Sequence, residues 1–311
     1  MTAKQGTSLV KLFNGLSAFP LTPTDAAGRL QADVLCRFLE RIRMAGADSI
    51  GLLGSTGGYA YLRREERQRA VRVAVECVAG KTPIIVGVGA LRTDEAQTLA
   101  LDARAAGANG LLLAPISYAP LTDEEVFQHF AAVAEAGELP LCIYNNPSTT
   151  KFTFSDDLIA RLAKLPNMAA VKMPLPANGD FRGEIERLRM ITPDGFAVGY
   201  SGDWGAADAL LAGCDAWYSV VAGLLPAPAL ALTRAAQAGD STEAARINDA
   251  FQPLWELFRA FGSFRVMYVM ADLLGLAEIE PPRPVLPLSQ DARSRVEGAL
   301  QALSSAGNFV P

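Results

Sequence analysis

The residue with the clearest chemical potential in this chain is a lysine inside an apolar run. Lys172 lies in the segment MAAVKMP at 168–174, whereas the lysines at 4, 11, 81, 151 and 164 are not embedded in such a run. Burial disfavours a charged ammonium, and the neutral amine is the form that attacks a carbonyl to give a Schiff base. The spacing leaves one alternative open, a strand-end lysine that extends outward to solvent or pairs with a carboxylate.

A glycine-rich loop with two hydroxyls, Ser55 and Thr56, follows another apolar run. The segment reads GLLGSTGG at 51–58. Glycines let backbone N–H groups converge on an anion, and hydroxyls donate further hydrogen bonds, so the pattern is compatible with a carboxylate cradle. No lysine follows the glycines, which excludes a P-loop. A tight turn between a strand and a helix explains the same pattern equally well.

A tyrosine, Tyr144, ends a third apolar run in the segment CIYNNP at 142–147. A phenol at the end of a strand can carry protons between an amine and a substrate. The alternative is an aromatic ring at the edge of the core, whose hydroxyl bonds to the backbone.

Strand-like and helix-like segments alternate along most of the chain and indicate how these residues are positioned. The predicted strands are 15–19, 49–53, 83–88, 110–114, 141–144, 169–173, 196–200 and 216–221, and the helical windows between them include 31–45, 65–78, 93–106, 123–136 and 156–165. Eight such units predict an α/β fold, a (β/α)₈ TIM barrel over residues 1–238. Three further helical windows, 241–261, 264–274 and 290–302, predict a C-terminal helical appendix over 239–311. Catalytic groups of such barrels lie at the C-terminal ends of the strands.

The amino-acid composition argues against several classes of function. With 28 basic and 33 acidic residues the net charge is −5, and no basic run is present, which argues against nucleic acid as a partner. The single histidine, His129, excludes a multi-histidine metal site, and we expect it to be structural. Four scattered cysteines, no leader-like N-terminus and no membrane-length apolar run predict a cytosolic protein with reduced thiols.

The three motifs together, in this order, resemble those of the dihydrodipicolinate synthase / N-acetylneuraminate lyase family. The resemblance extends over nearly the whole chain, including the segment SGD at 201–203. It implies a pyruvate-handling class I aldolase barrel that uses no metal or organic cofactor. It also implies roles by position: Lys172 forms the Schiff base, Tyr144 relays protons, and Ser55, Thr56 and the backbone N–H of Gly57 bind the carboxylate of the 2-oxo acid.

Departures from the family pattern fall in the region where the second substrate binds. Thr149 stands where the synthases carry an arginine for a second carboxylate, so bidentate recognition is lost. Ser117 stands where they place a tyrosine that reaches into a neighbouring subunit, with Tyr118 one residue away, and Gly58 replaces the loop's usual glutamate.

The segments after the seventh and eighth strands depart as well. Asp203-Trp204 replaces an acidic pair, and Tyr218 replaces an aliphatic residue. We therefore expect Gly202, Asp203, Tyr218 and Thr149 to contact substrate, and we expect Trp204 and Tyr218 to give the second-substrate half an aromatic surface.

The sequence favours an aldolase or lyase that forms a lysine Schiff base with pyruvate or another 2-oxo acid and reversibly makes or cleaves a C–C bond to an unidentified second substrate. Three alternatives stay open: a sugar-acid dehydratase with the same lysine and tyrosine, 4-hydroxy-tetrahydrodipicolinate synthase itself, and a non-catalytic binding barrel. By analogy with the family, we also expect a homotetramer built as a dimer of dimers.

Overall fold

Eight parallel strands close into a barrel in the order β1 to β8, with β8 paired to β1. The computed structural model describes residues 12–307. The N-terminal segment that the sequence predicts not to be a leader lies outside the described residues. The strands are β1 Gly15–Ala18, β2 Ser49–Leu52, β3 Ile84–Gly87, β4 Gly110–Leu113, β5 Leu141–Tyr144, β6 Met168–Met173, β7 Ala197–Tyr200 and β8 Ala216–Ser219. The predicted (β/α)₈ barrel is confirmed.

Helices surround the barrel and extend beyond it. Those of the barrel are α1 Ala32–Ala45, α2 Arg64–Val78, α3 Thr93–Ala106, α4 Asp123–Gly137, α5 Pro147–Thr150, α6 Asp156–Leu162, α7 Phe181–Ile191, α8 Ala206–Leu211 and α9 Pro226–Gln237. The C-terminal helices are α10 Ser241–Phe261, α11 Ser263–Leu273 and α12 Gln290–Gly307. None of the helices between residues 12 and 307 combines the length and apolarity needed to cross a bilayer.

Local signals in the sequence explain where the helices begin and end. Gly46 and Gly107 follow α1 and α3 in the left-handed conformation, with φ of 84° and 93°. Glycine adopts this conformation without a steric cost, so it ends these helices. Before α4, the Thr122 side chain accepts from the Glu125 backbone N–H while the Glu125 carboxylate accepts from the Thr122 backbone N–H, which forms a capping box.

The alternation of side chains along β6 turns the lysine inward. Val171 and Met173 join the apolar layer between strands and helices, whereas Ala170 lies in the separate cluster inside the barrel. Successive residues of a strand point to opposite faces, so Lys172 shares the inward direction of Ala170. The run is apolar on both faces because both faces of a parallel sheet are covered.

The C-terminal helices are packed onto the barrel. Leu254 and Trp255 of α10 and Val266 and Met267 of α11 are fully buried, and all four belong to the same apolar cluster as the outward-facing strand residues. This shared core fixes the start of α11 relative to the strand ends.

Glycines make room for a phenylalanine inside the barrel. Phe19 follows β1, and its ring lies so close to β2 that a Cβ built on Gly51 would come within 2.2 Å of it. A Cβ on Gly54 would approach the same ring to 2.5 Å. Both distances are shorter than real carbon contacts, so these two positions accept only glycine while the ring stays in place.

Replacing Gly51 by alanine therefore tests the packing of the barrel interior. We expect Gly51→Ala to lower the free energy of unfolding by about 1–3 kcal/mol, because the new methyl group overlaps the Phe19 ring. Urea denaturation measures the change. The double variant Gly51→Ala/Phe19→Leu should recover part of the loss.

The control is Gly298→Ala, since Gly298 is in an exposed part of α12 with no atom near the added methyl group. The free energy of unfolding of this variant should rise by up to about 1 kcal/mol, because alanine has a higher helix propensity than glycine. Equal stabilities of Gly51→Ala and the wild-type protein would contradict the packing described here.

Candidate active site

A cavity of about 720 Å³ opens at the C-terminal ends of the strands. Strand ends and the loops after them supply most of its lining: Ser55, Thr56, Tyr144, Asn146, Ser148, Thr149, Lys172, Pro174, Leu175, Pro176, Ala177, Ser201, Gly202, Asp203, Trp204 and Val220. The C-terminal helices and the turn between them add Phe258, Gly262, Ser263 and Phe264. The cavity is therefore located where barrels of this type carry their chemistry.

Lys172 lies at the base of this cavity among aromatic rings. Its side chain is buried, and Nζ is 4.1 Å from the ring centroids of both Phe19 and Tyr144. The Tyr218 ring centroid is 5.6 Å away. Aromatic faces attract cations, so this pocket can hold either the ammonium or a protonated imine formed on the same nitrogen.

The groups beneath the lysine supply no negative charge. The Cys142 thiol and the Tyr218 phenol are 3.6 Å apart in the barrel interior. Burial raises the pKa of Cys142 to about 12 and raises the pKa of Tyr218 well above its usual value. Both are therefore neutral at physiological pH, and Lys172 has no counter-ion below it.

Tyr144 pairs with Lys172 in the barrel register and links the lysine to the glycine-rich loop. The two residues are direct neighbours across β5 and β6. The Tyr144 hydroxyl is 3.4 Å from the Ser55 hydroxyl and accepts a hydrogen bond of 3.0 Å from the Asn146 amide. Thr56 is buried beside Ser55 and also lines the cavity. The structure thus brings Lys172, Tyr144, Ser55 and Thr56 to one cavity.

Asn146 organises the polar wall of the cavity. Its amide nitrogen donates to the Thr149 hydroxyl at 3.0 Å, and its amide oxygen accepts from the Ser148 hydroxyl at 2.8 Å. Thr149 lines the cavity as expected from its position in the sequence. Asn146 was not among the predicted site residues, because its contacts depend on the turn formed by α5.

Asp203 contributes to the cavity wall, but its carboxylate is committed to the protein. One oxygen accepts from Trp217 Nε1 at 2.9 Å and from the Val220 N–H at 3.1 Å, and the other accepts from the Val221 N–H at 2.7 Å. Burial raises the pKa of Asp203 to about 6, against the opposing effect of these donors and of Lys172. These hydrogen bonds from Val220 and Val221 stabilise the turn after β8.

Two other residues predicted to contact substrate are absent from the cavity lining. Tyr218 does not line the cavity: it is buried below Lys172, where a Cβ on Gly199 would come within 2.6 Å of its ring. The alternation of β8 directs this ring into the barrel, where its centroid is 5.6 Å from Lys172 Nζ, so the expected contact between Tyr218 and substrate stays a prediction. Gly57 is also absent from the lining, and a Cβ there would lie 3.0 Å from the Leu53 Cα.

Two residues after the seventh strand do border the cavity. Gly202 adopts φ of 97°, and a Cβ there would lie 2.9 Å from the Leu175 side chain. Trp204 lines the cavity with 38% of its surface exposed.

The segment after β4 contributes nothing to the cavity within one chain. Tyr118 is fully exposed, and Ser117 is half-buried outside the lining. Neither the candidate Ser117 nor its neighbour therefore reaches Lys172 from its own subunit.

The residues that the C-terminal helices add to the cavity were not predicted from the sequence. Phe264 at the start of α11 lies over the glycine-rich loop, and a Cβ built on Gly58 would be 3.4 Å from its ring. Phe264 also stacks on Tyr61, with centroids 6.2 Å apart. Gly58 has a left-handed backbone with φ of 61°, which favours glycine whether or not the ring is near, so this glycine did not signal the contact with Phe264.

His129 has a structural role outside the cavity. Its Nδ1 is 3.0 Å from the Thr93 hydroxyl, and burial lowers the pKa of the ring. Across residues 12–307, the structure contains no group of three or more His, Cys, Asp or Glu side chains that could hold a metal ion. The chemistry supported by the site is that of an amine, a phenol and hydroxyls.

Comparisons with known proteins match almost the whole described chain. Residues 12–303 match the model of the dihydrodipicolinate synthetase family. A 4-hydroxy-tetrahydrodipicolinate synthase from Methylococcus capsulatus is 36% identical over 291 residues, which cover 92% of this chain and 96% of the relative.

Two crystal structures are similar in fold as well as sequence. Dihydrodipicolinate synthase from Agrobacterium tumefaciens has a TM-score of 0.94 and 59% identity, covering 95% of this chain and 100% of the other. The enzyme from Acinetobacter baumannii, described as a complex with pyruvate, has a TM-score of 0.86 and 28% identity, covering 94% and 99%.

The Asp203 carboxylate makes stability depend on pH in a defined direction. Its pKa is about 6 in the folded chain against an ordinary value of 3.8, so the folded state holds the proton more tightly. The stability that this proton provides is complete below about pH 4 and is lost as the pH rises through about 6. We expect the unfolding free energy of the wild type, relative to Asp203→Asn, to fall by about 2 kcal/mol between pH 4 and pH 7.

Urea denaturation across this range measures the difference. Asp208→Asn, an exposed position in the following helix, controls for a general loss of charge. A difference between wild type and Asp203→Asn that does not change with pH would contradict the predicted coupling.

Proposed function

The chain belongs to the dihydrodipicolinate synthetase family, whose members are lyases, and we propose that it makes or cleaves 2-oxo acids through a Schiff base on Lys172. The observation that carries this assignment is the position of the amine. Nζ lies 4.1 Å from the Tyr144 ring at the base of a cavity whose wall contains Ser55 and Thr56.

The first half of the reaction concerns pyruvate. The neutral Lys172 amine adds to the ketone carbon, and uptake of one proton, carried by Tyr144, with loss of water leaves a protonated imine. The imine cation lies between the Phe19 and Tyr144 rings, which stabilise positive charge there. Loss of a proton from the methyl carbon then gives an enamine, because the cationic nitrogen accepts the electron pair.

Tyr144 is the group proposed to carry protons. Its hydroxyl lies within hydrogen-bonding distance of Ser55 and Asn146, so a proton taken from the substrate side can pass towards the loop. The hydroxyls of Ser55 and Thr56 would hold the carboxylate of the 2-oxo acid, together with the loop backbone. These two roles for the loop, binding and relay, follow from its contact with the phenol.

Two alternatives for the second half of the reaction have different support. The Methylococcus relative is named 4-hydroxy-tetrahydrodipicolinate synthase, a function that requires recognition of a second carboxylate. Here Thr149 lines the cavity at the position of the expected arginine, which disfavours that function. A sugar-acid dehydratase would use the same lysine and tyrosine, and no residue of the site favours it specifically.

The assembly and location of the protein remain proposals. We expect a homotetramer, in which a neighbouring subunit contacts the exposed Tyr118 loop, and light scattering on the full chain measures the mass. The predicted cytosolic location is tested by cell fractionation.

Trapping the imine tests the central assignment. Wild-type protein incubated with pyruvate and reduced with borohydride should gain one reduced pyruvyl group, because the reduction makes the carbon–nitrogen bond permanent. Intact mass spectrometry reads the gain, and peptide mapping should place it on Lys172. Lys172→Ala should gain nothing, whereas the exposed-lysine control Lys164→Ala should behave as wild type. Retention of the adduct in Lys172→Ala would show that another lysine reacts.

The role of Tyr144 can be measured without knowing the second substrate. In D₂O, enamine formation exchanges the methyl protons of pyruvate, and NMR follows the rate. We expect Tyr144→Phe to slow this exchange by about 10²–10⁴-fold, since it removes only the proton-carrying hydroxyl.

Tyr61→Phe is the matched control, because Tyr61 lies outside the cavity lining. If Tyr144→Phe exchanged protons as fast as this control, Tyr144 would not be the proton carrier.

A further inference from the structure

The lining of the cavity around Lys172 contains a polar and an apolar set of side chains. The polar set includes Ser55, Thr56, Asn146 and Thr149. The apolar set includes Leu175, Trp204, Val220, Phe258 and Phe264. At about 720 Å³, the cavity is in the size range of sites for drug-sized ligands and is much larger than pyruvate requires.

Several polar groups of the lining already have partners within the chain. The Asn146 amide is engaged by Tyr144, Thr149 and Ser148, and the Ser201 hydroxyl donates to the Met173 carbonyl at 3.1 Å. A polyhydroxylated substrate would also place some of its hydroxyl groups against the apolar side chains of the lining, at a cost in free energy.

The charges of the cavity lining disfavour a second substrate that carries a carboxylate. Among the described residues of the lining, Lys172 is the only cation and Asp203 the only anion. Lys172 is consumed in the imine, and the Asp203 carboxylate is held by Trp217, Val220 and Val221. A second carboxylate would therefore lie against apolar side chains without a cation, which is strongly unfavourable.

We infer that the second substrate is an uncharged aldehyde with an aromatic substituent, which packs against Trp204 and Phe264. This inference rests on the proposed Schiff-base function. The methyl carbon of the enamine forms a bond to the aldehyde carbon, and the aldehyde oxygen takes up a proton and becomes a hydroxyl. Water then hydrolyses the imine, which frees the Lys172 amine and releases a 4-aryl-4-hydroxy-2-oxo acid. Cleavage of such an acid to pyruvate and the aldehyde is the reverse reaction.

The aromatic contacts of Phe264 favour an aromatic substituent on the aldehyde over an aliphatic one. Phe264 is supported from behind by stacking on Tyr61 and by an edge contact with Tyr268, with centroids 6.2 Å and 5.2 Å away. A supported ring offers a fixed surface, and aromatic pairs gain about 0.5–1.5 kcal/mol beyond the area they bury.

A direct comparison of aldehydes tests the inference. Wild-type protein with saturating pyruvate is given benzaldehyde, aspartate semialdehyde or glyceraldehyde, and consumption of pyruvate gives kcat/KM for each. We expect benzaldehyde to exceed each of the others by at least about tenfold. A higher kcat/KM with aspartate semialdehyde or glyceraldehyde, or no turnover of benzaldehyde, overturns the inference.

Borohydride trapping with pyruvate, run in parallel, separates the two levels of the proposal. An adduct on Lys172 together with the opposite aldehyde preference overturns only the substrate class. Absence of the adduct overturns the proposed function, and the inference with it.

Variants locate the aldehyde within the cavity. Trp204→Ala and Phe264→Ala should each lower kcat/KM for benzaldehyde by about tenfold or more, mainly through KM, because an apolar contact surface is lost. Phe264→Leu, which keeps apolar bulk, should retain more activity than Phe264→Ala. Met190→Ala, at an exposed position on α7, is the control. Unchanged KM values in both alanine variants would show that the aldehyde does not bind on this side.

Discussion

The burial of one amine inside a closed barrel is the constraint on which the rest of the site depends. Lys172 points inward because of the two-residue period of β6, and it meets aromatic faces there instead of a carboxylate. An amine in this position can attack a carbonyl, and the surrounding rings stabilise the cation of the protonated imine that forms. Glycines at 51 and 54 admit the Phe19 ring, and Gly199 admits Tyr218. The barrel interior is thus shaped around a single reactive nitrogen.

Much of the fold could be predicted because its signals are local. The fifth strand lies at 141–144 in both prediction and structure, and the longest C-terminal helix lies at 241–261 in both. Each signal is a run of apolar residues with clear ends. The eighth strand is shorter than predicted: it ends at Ser219 because the N–H groups of Val220 and Val221 turn to the Asp203 carboxylate. That tertiary hydrogen bond leaves no trace in the local pattern.

The candidate site was predictable only where family motifs mark it. Lys172, Tyr144, Ser55 and Thr56 could be named from the motifs, and the structure places them in one cavity. Phe258 and Phe264 could not, since they come from helices about ninety residues beyond Lys172 and reach the strand ends only through packing. Tyr218 lies 5.6 Å from Lys172 Nζ but outside the cavity lining, a placement that depends on the direction of its side chain and not on its position in the sequence. The aromatic part of the lining likewise depends on tertiary contacts.

The most direct test of the whole account is a crystal structure of the protein with pyruvate bound. We predict continuous electron density from the Lys172 Nζ to the former ketone carbon of pyruvate, between the rings of Phe19 and Tyr144. The carboxylate should lie within hydrogen-bonding distance of the Ser55 and Thr56 hydroxyls, and the side of the cavity formed by Trp204 and Phe264 should stay unfilled. An unmodified Lys172 with pyruvate bound at another position, or an adduct on a different lysine, would contradict the account.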